Sequence, residues 1–292
     1  MHAALLVVQS LFGSLAVAGK LALRVLPGTA IIAVRVPAAL MIFWLIRKMR
    51  VREKVDRRDL LELFVYGFFG VIANQLLFIE GLARTTATNA VILQTSIPIF
   101  TVGVAVAVGK ERASPLKVCG LLIALSGAFY LVGAGRFENA GQYFAGNLII
   151  VCNALSFSIY LVISRKLLAK YRTATVVYWT FVFGALGVIP FGAHALAQSA
   201  GRIDTATALL LVYIVVGPTV GTYFLNGFAL RRAPSSLVAI YVYVQPLIGT
   251  LLAAATLHER PTSSALISAG LIAIGIALVS YDARELARRL PG

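Results

Sequence analysis

The chain has 292 residues, of which 60% are hydrophobic and 13% are charged, and its formal net charge is +15. This composition is too apolar for a soluble globular domain. It indicates an integral membrane protein, and the short polar connections leave little room for an extramembrane domain.

Ten apolar segments follow one another along the chain. A helix needs about 20 apolar residues to cross a hydrocarbon core of about 30 Å. We predict a transmembrane helix over each of residues 3–23, 27–46, 60–82, 86–108, 115–134, 144–164, 174–194, 206–229, 235–257 and 262–281. No basic segment precedes the first, so we expect a retained helix and not a cleaved signal peptide. Cys119 and Cys152 fall within predicted helices, where we expect small apolar filler and not disulfide or metal ligands.

The basic residues are divided unequally between the two sides of the predicted bundle. If both termini are cytoplasmic, that side receives the basic clusters within residues 47–58, 110–117, 165–172, 231–232 and 284–289. The other side receives only Lys20, Arg24, Arg84, Arg136, Arg202 and Arg260. This is the positive-inside pattern. It predicts cytoplasmic termini, and it explains the net charge as a topology signal and not as a nucleic-acid surface.

The end of the first half recurs loosely at the end of the second half, 148 residues later. Pro98, Glu111, Arg112 and Gly127 recur with the same spacing as Pro246, Glu259, Arg260 and Gly275. We therefore predict two diverged repeats of five helices each, residues 1–140 and 141–292. Because five is an odd number, the second repeat must be inverted in the membrane. Secondary transporters use this arrangement, with the substrate site at the interface of the repeats.

Pro98 and Pro246 lie about midway along predicted helices four and nine. A mid-helix proline frees a backbone carbonyl, which a membrane tolerates only where the break is packed by protein or faces a water-filled cavity. Two interpretations remain open: hinges beside a binding site, or purely structural bends. Glu111 and Glu259 follow these helices, each with an arginine after it. We expect them to mark hairpins, as candidate gate latches and not as substrate ligands.

These residues together resemble EamA-type members of the drug/metabolite transporter superfamily. The resemblance rests on the mid-helix proline, the Glu-Arg pair, the glycine-rich stretch 120–127, their recurrence in the second half, and Arg35 in helix two. It implies an all-α fold of ten helices around a central cavity, lined mainly by helices one, three, four, six, eight and nine. Access to the cavity would alternate between the two membrane faces. The chain most resembles bacterial exporters of amino acids, including aromatic ones, which implies a bacterial-type inner membrane.

Polar side chains within the hydrocarbon are costly, so their positions are informative. Amide and aromatic side chains on the expected lining helices are candidate substrate contacts: Gln9, Asn74, Gln75, Phe78, Gln94, Asn153, Phe157, Tyr160, Tyr223, Asn226, Tyr241 and Gln245. For any one of them, a hydrogen bond between helices is an equally open role. As a set, they suit a neutral or zwitterionic solute with an apolar or aromatic part. Tyr241 and Gln245 are expected on one helix face beside Pro246.

Charged side chains near the membrane core are few. Arg35 either pairs with carbonyls freed by Pro37, which we favour, or attracts an anionic group of a substrate. Glu80 and Arg84 predict an interfacial ion pair. No carboxylate lies near the middle of an expected lining helix. We therefore expect transport down the gradient of the substrate, with proton coupling as the open alternative, and we predict no cofactor and no metal.

Three rival functions are weighed against a carrier of amino acids, and the third of them is itself a carrier. An intramembrane enzyme would need a nucleophile with its base or a metal site, but His2, His194 and His258 all lie at predicted helix ends. A channel or scaffold would show neither saturation nor counterflow. An exchanger of phosphorylated or nucleotide-linked sugars should have several basic cavity residues, where only Arg35 is a candidate. We predict a secondary transporter whose partners are a small-molecule substrate and the lipid bilayer; the sequence is compatible with a monomer.

Overall fold

The structure is a computed structural model that describes residues 1–51, 53–132, 143–248 and 263–289. Every regular element within these ranges is helical, so the fold is all-α. The α-helices are α1 (His2–Leu23), α2 (Gly28–Arg50), α3 (Leu60–Gly67), α4 (Asn74–Arg84), α5 (Ala87–Gln94), α6 (Ile97–Ala107), α7 (Pro115–Val132), α8 (Phe144–Lys170), α9 (Thr173–Ser199), α10 (Thr205–Val215), α11 (Thr222–Leu230), α12 (Ser235–Ile240) and α13 (Ser263–Arg289).

The described residues contain seven helical stretches that are long and apolar enough to cross a membrane. They are His2–Leu23, Gly28–Met49, Arg57–Arg84, Asn89–Ala107, Phe144–Lys170, Thr173–Ser199 and Thr205–Leu230. Three shorter apolar stretches are Pro115–Gly127, Ser235–Ile248 and Gly270–Ala283. All ten coincide in order with the segments predicted from the sequence. The chain is therefore a multi-pass membrane protein, while the inversion of one half relative to the other stays a prediction.

Two of the long stretches contain a π-helical segment. Phe68–Ala73 joins α3 to α4, and Val216–Gly221 joins α10 to α11. The offset of 148 residues that relates the two prolines also relates these segments. A π-helix departs from the regular α-helical hydrogen-bond pattern and is frequent at functional sites. In the first π-helical segment, side chains of other helices donate hydrogen bonds to backbone carbonyls. The Ser156 hydroxyl donates to the carbonyl of Phe69 at 2.8 Å, and the Tyr223 hydroxyl donates to the carbonyl of Gly70.

Both spans that contain a repeated proline depart from the regular α-helix just before it. α5 ends at Gln94, and a tight turn leads into α6, whose first turn contains Pro98. In the other span, α12 is followed by a 3-10 helix over Tyr241–Val244, immediately before the segment that contains Pro246. The physical cause is shared, because proline cannot donate a backbone hydrogen bond to the residue four positions earlier.

Close helix packing uses glycine at particular crossings. α2 packs along α9, and α7 packs along α13. At the second of these contacts, a Cβ added to Gly275 would lie 2.5 Å from the carbonyl oxygen of Gly120. Small residues let backbones approach closely in a membrane, where apolar burial gives little drive for helix association. The sequence repeat therefore contains, in Gly275, a residue whose lack of a side chain is needed for packing.

Several helices extend beyond their predicted ends, and α8 and α9 are two of them. The sixth predicted segment ends at residue 164 and the seventh at residue 194, whereas α8 continues to Lys170 and α9 to Ser199. The additional turns of α8 are polar at their end, where Lys170 Nζ lies 2.6 Å from Asp56 Oδ2 and 2.7 Å from Asp59 Oδ2. Hydropathy detects only the apolar part of a helix, so an extension held by polar contacts escapes it.

Two smaller expectations have different outcomes. Glu80 and Arg84 form the predicted ion pair, with 2.6 Å between Glu80 Oε2 and Arg84 Nη1. Cys119 and Cys152 are free thiols, and both are exposed on the outside of their helices, so they do not fill the core as expected. The correction has a simple cause, because a small apolar thiol is as well suited to a lipid-facing surface as to a protein interior.

Candidate functional site

A central cavity of about 50 Å³ lies among the helices of the two halves. Its wall combines apolar and aromatic side chains with a few amides and one arginine. The helices that line it are those the family resemblance implies, with α2 in addition. The lining residues are Phe12, Leu15, Ala16, Arg35, Asn74, Gln75, Phe78, Ala90, Val91, Gln94, Ile97, Asn153, Phe157, Tyr223, Val242 and Gln245.

Eight of the candidate residues from the sequence lie in this wall. They are Asn74, Gln75, Phe78, Gln94, Asn153, Phe157, Tyr223 and Gln245. The other four, Gln9, Tyr160, Asn226 and Tyr241, do not line the cavity. Apolar lining residues such as Phe12 and Val242 have no sequence signal that distinguishes them from ordinary core residues.

Amide side chains cross-link one side of the cavity. Gln94 Nε2 donates to Asn153 Oδ1 at 2.8 Å, and Asn153 Nδ2 donates to the backbone carbonyl of Asn74 at 2.6 Å. These bonds join α5, α8 and α4. Within the described part of the chain, the side-chain oxygen of Gln94 accepts no hydrogen bond, so it can accept one from a ligand.

A second amide pair closes the wall between α1 and the segment that contains Pro246. Gln245 Nε2 donates to Gln9 Oε1 at 2.7 Å, and both side chains are buried. Gln9 therefore supports a lining residue from behind and does not itself line the cavity. Pro246 follows Gln245 directly, whereas Pro98 lies one residue beyond the lining residue Ile97.

Aromatic rings form a layered cluster on another side. Phe157 stacks on Tyr160 with ring centroids 6.1 Å apart, and Tyr160 contacts Tyr223 with centroids 6.0 Å apart. Tyr160 lies in the second layer, against Gly70, where an added Cβ would be 2.5 Å from the tyrosine ring. The prediction that Tyr160 contacts the substrate is therefore corrected. Its ring supports Phe157 and Tyr223 and is screened from the cavity by them. Phe12 meets Phe157 edge-on at 5.8 Å.

Tyr241 and Gln245 do not lie on one helix face as predicted, because Tyr241–Val244 form a 3-10 helix and not an α-helix. Residues four apart differ in direction by about 40° in an α-helix but by about 120° in a 3-10 helix. Tyr241 therefore points away from the cavity that Gln245 lines, and its hydroxyl bonds to His2 Nδ1 near the N-terminus of α1. Asn226 is buried one turn along α11 from Tyr223, in a helix that packs against α8 and α9.

Arg35 is the residue for which the sequence analysis favoured a purely structural role. Its Nε donates to Thr219 Oγ1 at 2.5 Å, and its Nη2 lies 3.5 Å from the carbonyl oxygen of Pro218. These groups belong to the second π-helical segment and not to the turn before Pro37, so the expected partner is corrected. The side chain also lines the cavity, although it is only 4% exposed. Arg35 therefore bonds to a neighbouring helix and is also accessible from the cavity.

Glu111 connects the two halves at the end of α6. Its carboxylate accepts hydrogen bonds from the Ser236 hydroxyl at 2.5 Å, the Ser236 amide at 3.2 Å and Lys117 Nζ at 3.0 Å. Burial opposes ionisation, but the Ser236 hydroxyl and the Lys117 ammonium outweigh it, so the pKa of Glu111 is lowered. The charged carboxylate fastens the α6–α7 connection to the start of α12. Glu259, its counterpart in the sequence repeat, lies outside the described residues.

A second cavity opens at the other end of the bundle, where α1 ends and α2 begins. It has a volume of about 1150 Å³ and is open to the surroundings. Four basic residues line it: Lys20, Arg24, Arg84 and Arg202. Arg84 is paired with Glu80. The remaining positive groups make this vestibule attractive to anions.

Comparison with known proteins gives a consistent result. A model of the EamA-like transporter family matches residues 2–133 and 144–281. An uncharacterized transporter of Archaeoglobus fulgidus is 26% identical over 221 residues, which cover 75% of this chain and 74% of the relative. The aromatic amino acid exporter YddG of Ancylobacter novellus is 25% identical over 224 residues, covering 76% and 77%.

Another relative and a solved structure extend the comparison. A protein of Streptantibioticus cattleyicolor, named as a probable terminal-alkyne amino-acid exporter, is 25% identical over 232 residues, covering 80% of this chain and 76% of the relative. A solved crystal structure matches with a TM-score of 0.76 over 97% of both chains, at 22% identity. At this identity, the structural match shows a common fold.

Proposed function

The chain belongs to the EamA-like transporter family, and we propose that it exports small neutral or zwitterionic metabolites by alternating access. Amino acids with large apolar or aromatic side chains are the proposed substrates. The proposal includes two inverted repeats, residues 1–140 and 141–292, with the central cavity between them as the substrate site. Pro98 and Pro246 act as hinges, and Glu111 and Glu259 as gate latches.

The observation that carries the proposal is the composition of the cavity wall. Amides at Asn74, Gln75, Gln94 and Gln245 offer hydrogen bonds to the polar end of a substrate, and the aromatic rings offer a surface for its side chain. The Tyr223 and Phe157 rings are held by the second-layer Tyr160. A wall of this kind suits a compact amphipathic solute.

The names of two relatives agree with this substrate class. One is an aromatic amino acid exporter and the other a terminal-alkyne amino-acid exporter. Both names describe export, and the direction of flux proposed here is taken from them. The positive-inside pattern further supports an inner membrane of bacterial type with both termini in the cytoplasm. In that orientation, the basic vestibule lies on the outer side, where the substrate leaves.

Two alternative functions fit the cavity less well. An exchanger of phosphorylated or nucleotide-linked sugars would be expected to clamp phosphate with several cations, whereas Arg35 is the one basic lining residue in the described part of the chain. A channel would be expected to have a continuous polar path. The described wall is mostly apolar, with Glu111 and Ser236 bonded across the two halves beyond it.

Reconstituted vesicles provide the test. Purified protein in liposomes should take up phenylalanine, tryptophan and leucine with saturation, and a trans gradient of unlabelled substrate should drive counterflow. A pH gradient should leave the initial rate unchanged, because no carboxylate lines the described cavity wall. Exchange of phosphorylated sugars without amino acid flux would overturn the substrate, and flux without saturation or counterflow would overturn the carrier mechanism.

A further inference from the structure

We propose that Arg35 and Gln75 form a carboxylate-binding subsite in the wall of the central cavity. A free carboxylate is then the required feature of the ligand, and an ammonium group is not. The ligand class is a monocarboxylate with an apolar or aromatic side group, of which an amino acid is one member. The inference rests on the proposed function, because it takes the central cavity as the place where the transported compound binds.

The first observation is a buried charge without a counter-ion. Arg35 is 4% exposed, and its two partners, the Thr219 hydroxyl and the Pro218 carbonyl, are neutral. Among the described lining residues there is no aspartate or glutamate. A guanidinium loses much of its hydration on burial, and the lining provides no carboxylate to compensate for that loss. An anion that enters the cavity would supply the missing electrostatic attraction to Arg35.

Arg35 also has donors to spare. A guanidinium has five N–H groups in a planar fork, and the described residues accept from Nε and Nη2 only. The fork belongs to a side chain that lines the cavity. Parallel N–H donors of arginine match the two oxygens of a carboxylate, so the unused donors favour this group over a single hydroxyl.

Gln75 provides an independent observation on the neighbouring helix α4. Its side chain is 1% exposed and lines the same cavity, yet neither its amide nitrogen nor its amide oxygen completes a hydrogen bond. The Tyr223 hydroxyl oxygen is a polar neighbour of Gln75, and its own proton goes to the carbonyl of Gly70. It therefore gives the Gln75 oxygen no donor and can accept from at most one of the two N–H groups of the Gln75 amide. A buried amide without a partner is unfavourable, and a ligand carboxylate would accept from its nitrogen.

Tyr223 brings the two residues into one neighbourhood. Its hydroxyl interacts electrostatically with Arg35 and also lies beside Gln75. All three residues line the central cavity and come from three different helices, α2, α4 and α11. The subsite is therefore assembled by the tertiary fold at a single part of the wall.

The charge balance of the wall predicts an order of ligands. The described lining has one positive side chain and no negative one, so an anion should bind better than a zwitterion, and a zwitterion better than a cation. The ammonium group of an amino acid meets only neutral acceptors, such as the free side-chain oxygen of Gln94. We expect 3-phenylpropionate to bind at least as tightly as phenylalanine, and phenylalaninamide to bind weakly.

The test compares a carboxylate with its uncharged analogue on the full-length protein in nanodiscs. Titration calorimetry gives the Kd of 3-phenylpropionate and of 3-phenylpropan-1-ol for wild type, Arg35→Gln, Arg35→Lys, Gln75→Leu and Thr219→Val. We expect Arg35→Gln to weaken the carboxylate by about tenfold or more while the alcohol changes little. Arg35→Lys should retain part of the preference, because it keeps the charge and loses the fork. Gln75→Leu should weaken the carboxylate by a smaller factor.

Thr219→Val separates ligand binding from helix anchoring. It removes a structural partner of Arg35 but keeps the guanidinium, so it should lower the melting temperature and preserve the ratio of the two Kd values. Equal ratios in wild type and Arg35→Gln would overturn the proposal. So would a wild type that binds no carboxylate. If Arg35→Gln does not fold, Arg35→Lys and Gln75→Leu decide, and an unchanged ratio in both would overturn the subsite.

The subsite and the proposed function fail in different ways. Arg35-dependent binding of 3-phenylpropionate without transport of phenylalanine, tryptophan or leucine would reject the amino acid substrates and support the subsite. Saturable amino acid transport in which Arg35→Lys and Gln75→Leu discriminate phenylalanine from phenylalaninamide as well as wild type does would support the transporter and reject the subsite.

Discussion

At the residue scale, buried polar groups of this protein fall into those with a partner and those without one. The Tyr223 hydroxyl donates to the carbonyl of Gly70 within the first π-helical segment. The Tyr243 hydroxyl is equally buried, but it has no hydrogen-bond partner among the described residues. The two tyrosines therefore form a matched pair for measuring what the hydrogen bonds of one buried hydroxyl contribute to this bundle.

We expect Tyr223→Phe to reduce the free energy of unfolding by about 1–2 kcal/mol, because the Gly70 carbonyl is left without its donor. Tyr243→Phe should have no cost, since it removes a hydroxyl that bonds to nothing. Thermal unfolding of the two variants in detergent measures the difference. A larger loss for Tyr243→Phe than for Tyr223→Phe would contradict this assignment.

Glu111 and Lys117 are a buried ion pair, with side-chain exposures of 4% and 2%. Glu111→Gln should cost about 3–5 kcal/mol, because it leaves the Lys117 ammonium buried and without its counter-ion. Lys117→Met added to Glu111→Gln should recover most of that loss. Melting temperatures of the two single variants and the double variant complete the cycle, and additive losses would show that the two groups act separately.

The same pair predicts a pH dependence. The pKa of Glu111 is lowered from its ordinary value of 4.5, since the Ser236 hydroxyl and Lys117 outweigh the effect of burial. A lowered pKa in the folded state contributes stability that is complete above the ordinary value and is lost as the pH falls through the lowered one. Acidification below about pH 4.5 should therefore reduce the melting temperature of wild type more than that of Glu111→Gln. Parallel pH profiles would contradict this contribution.

At the scale of single elements, helix contacts depend on small residues and on local changes of helix type. The backbone approach between α7 and α13 leaves no space for a side chain at Gly275. By contrast, an added Cβ at Gly270, on the same helix, meets nothing within 4 Å. The two glycines therefore differ in environment and not in helix propensity.

Gly275→Val should destabilise the protein by about 1–3 kcal/mol or more, because its methyl groups would overlap the backbone of Gly120. Gly270→Val provides the control and should leave stability nearly unchanged. Yield of monodisperse protein and melting temperature in detergent are the measurements. Similar losses for both variants would indicate helix propensity and not packing as the cause.

At the scale of the whole molecule, basic residues at the two ends predict orientation. Arg112 and Arg202 are exposed, and the predicted topology assigns them to opposite sides of the membrane. With Cys119 and Cys152 replaced by alanine, we expect Arg112→Cys to react with a membrane-impermeant maleimide only in inverted vesicles. Arg202→Cys should react only in intact cells or right-side-out vesicles. The reverse pattern would place both termini outside the cytoplasm.

The sequence by itself determined the class of the protein, the order of its ten apolar stretches and eight of the residues in the cavity wall. A membrane constrains the hydropathy of whole segments and the charge of the connections between them, so both can be recognised in the sequence. Amides such as Gln94 and Asn153 were equally visible, because a polar side chain within an apolar helix has to have a partner or a ligand.

Only the tertiary structure decided how individual side chains point and which groups they meet. Tyr241 does not lie on the predicted face, because its segment is a 3-10 helix. Tyr160 lies in a second layer and not in the cavity wall, because Gly70 leaves space for its ring. The neutral partners of Arg35 belong to a π-helical segment that is far away in the sequence. Periodicity describes a regular helix, whereas these outcomes depend on local departures from it and on contacts between helices of different halves.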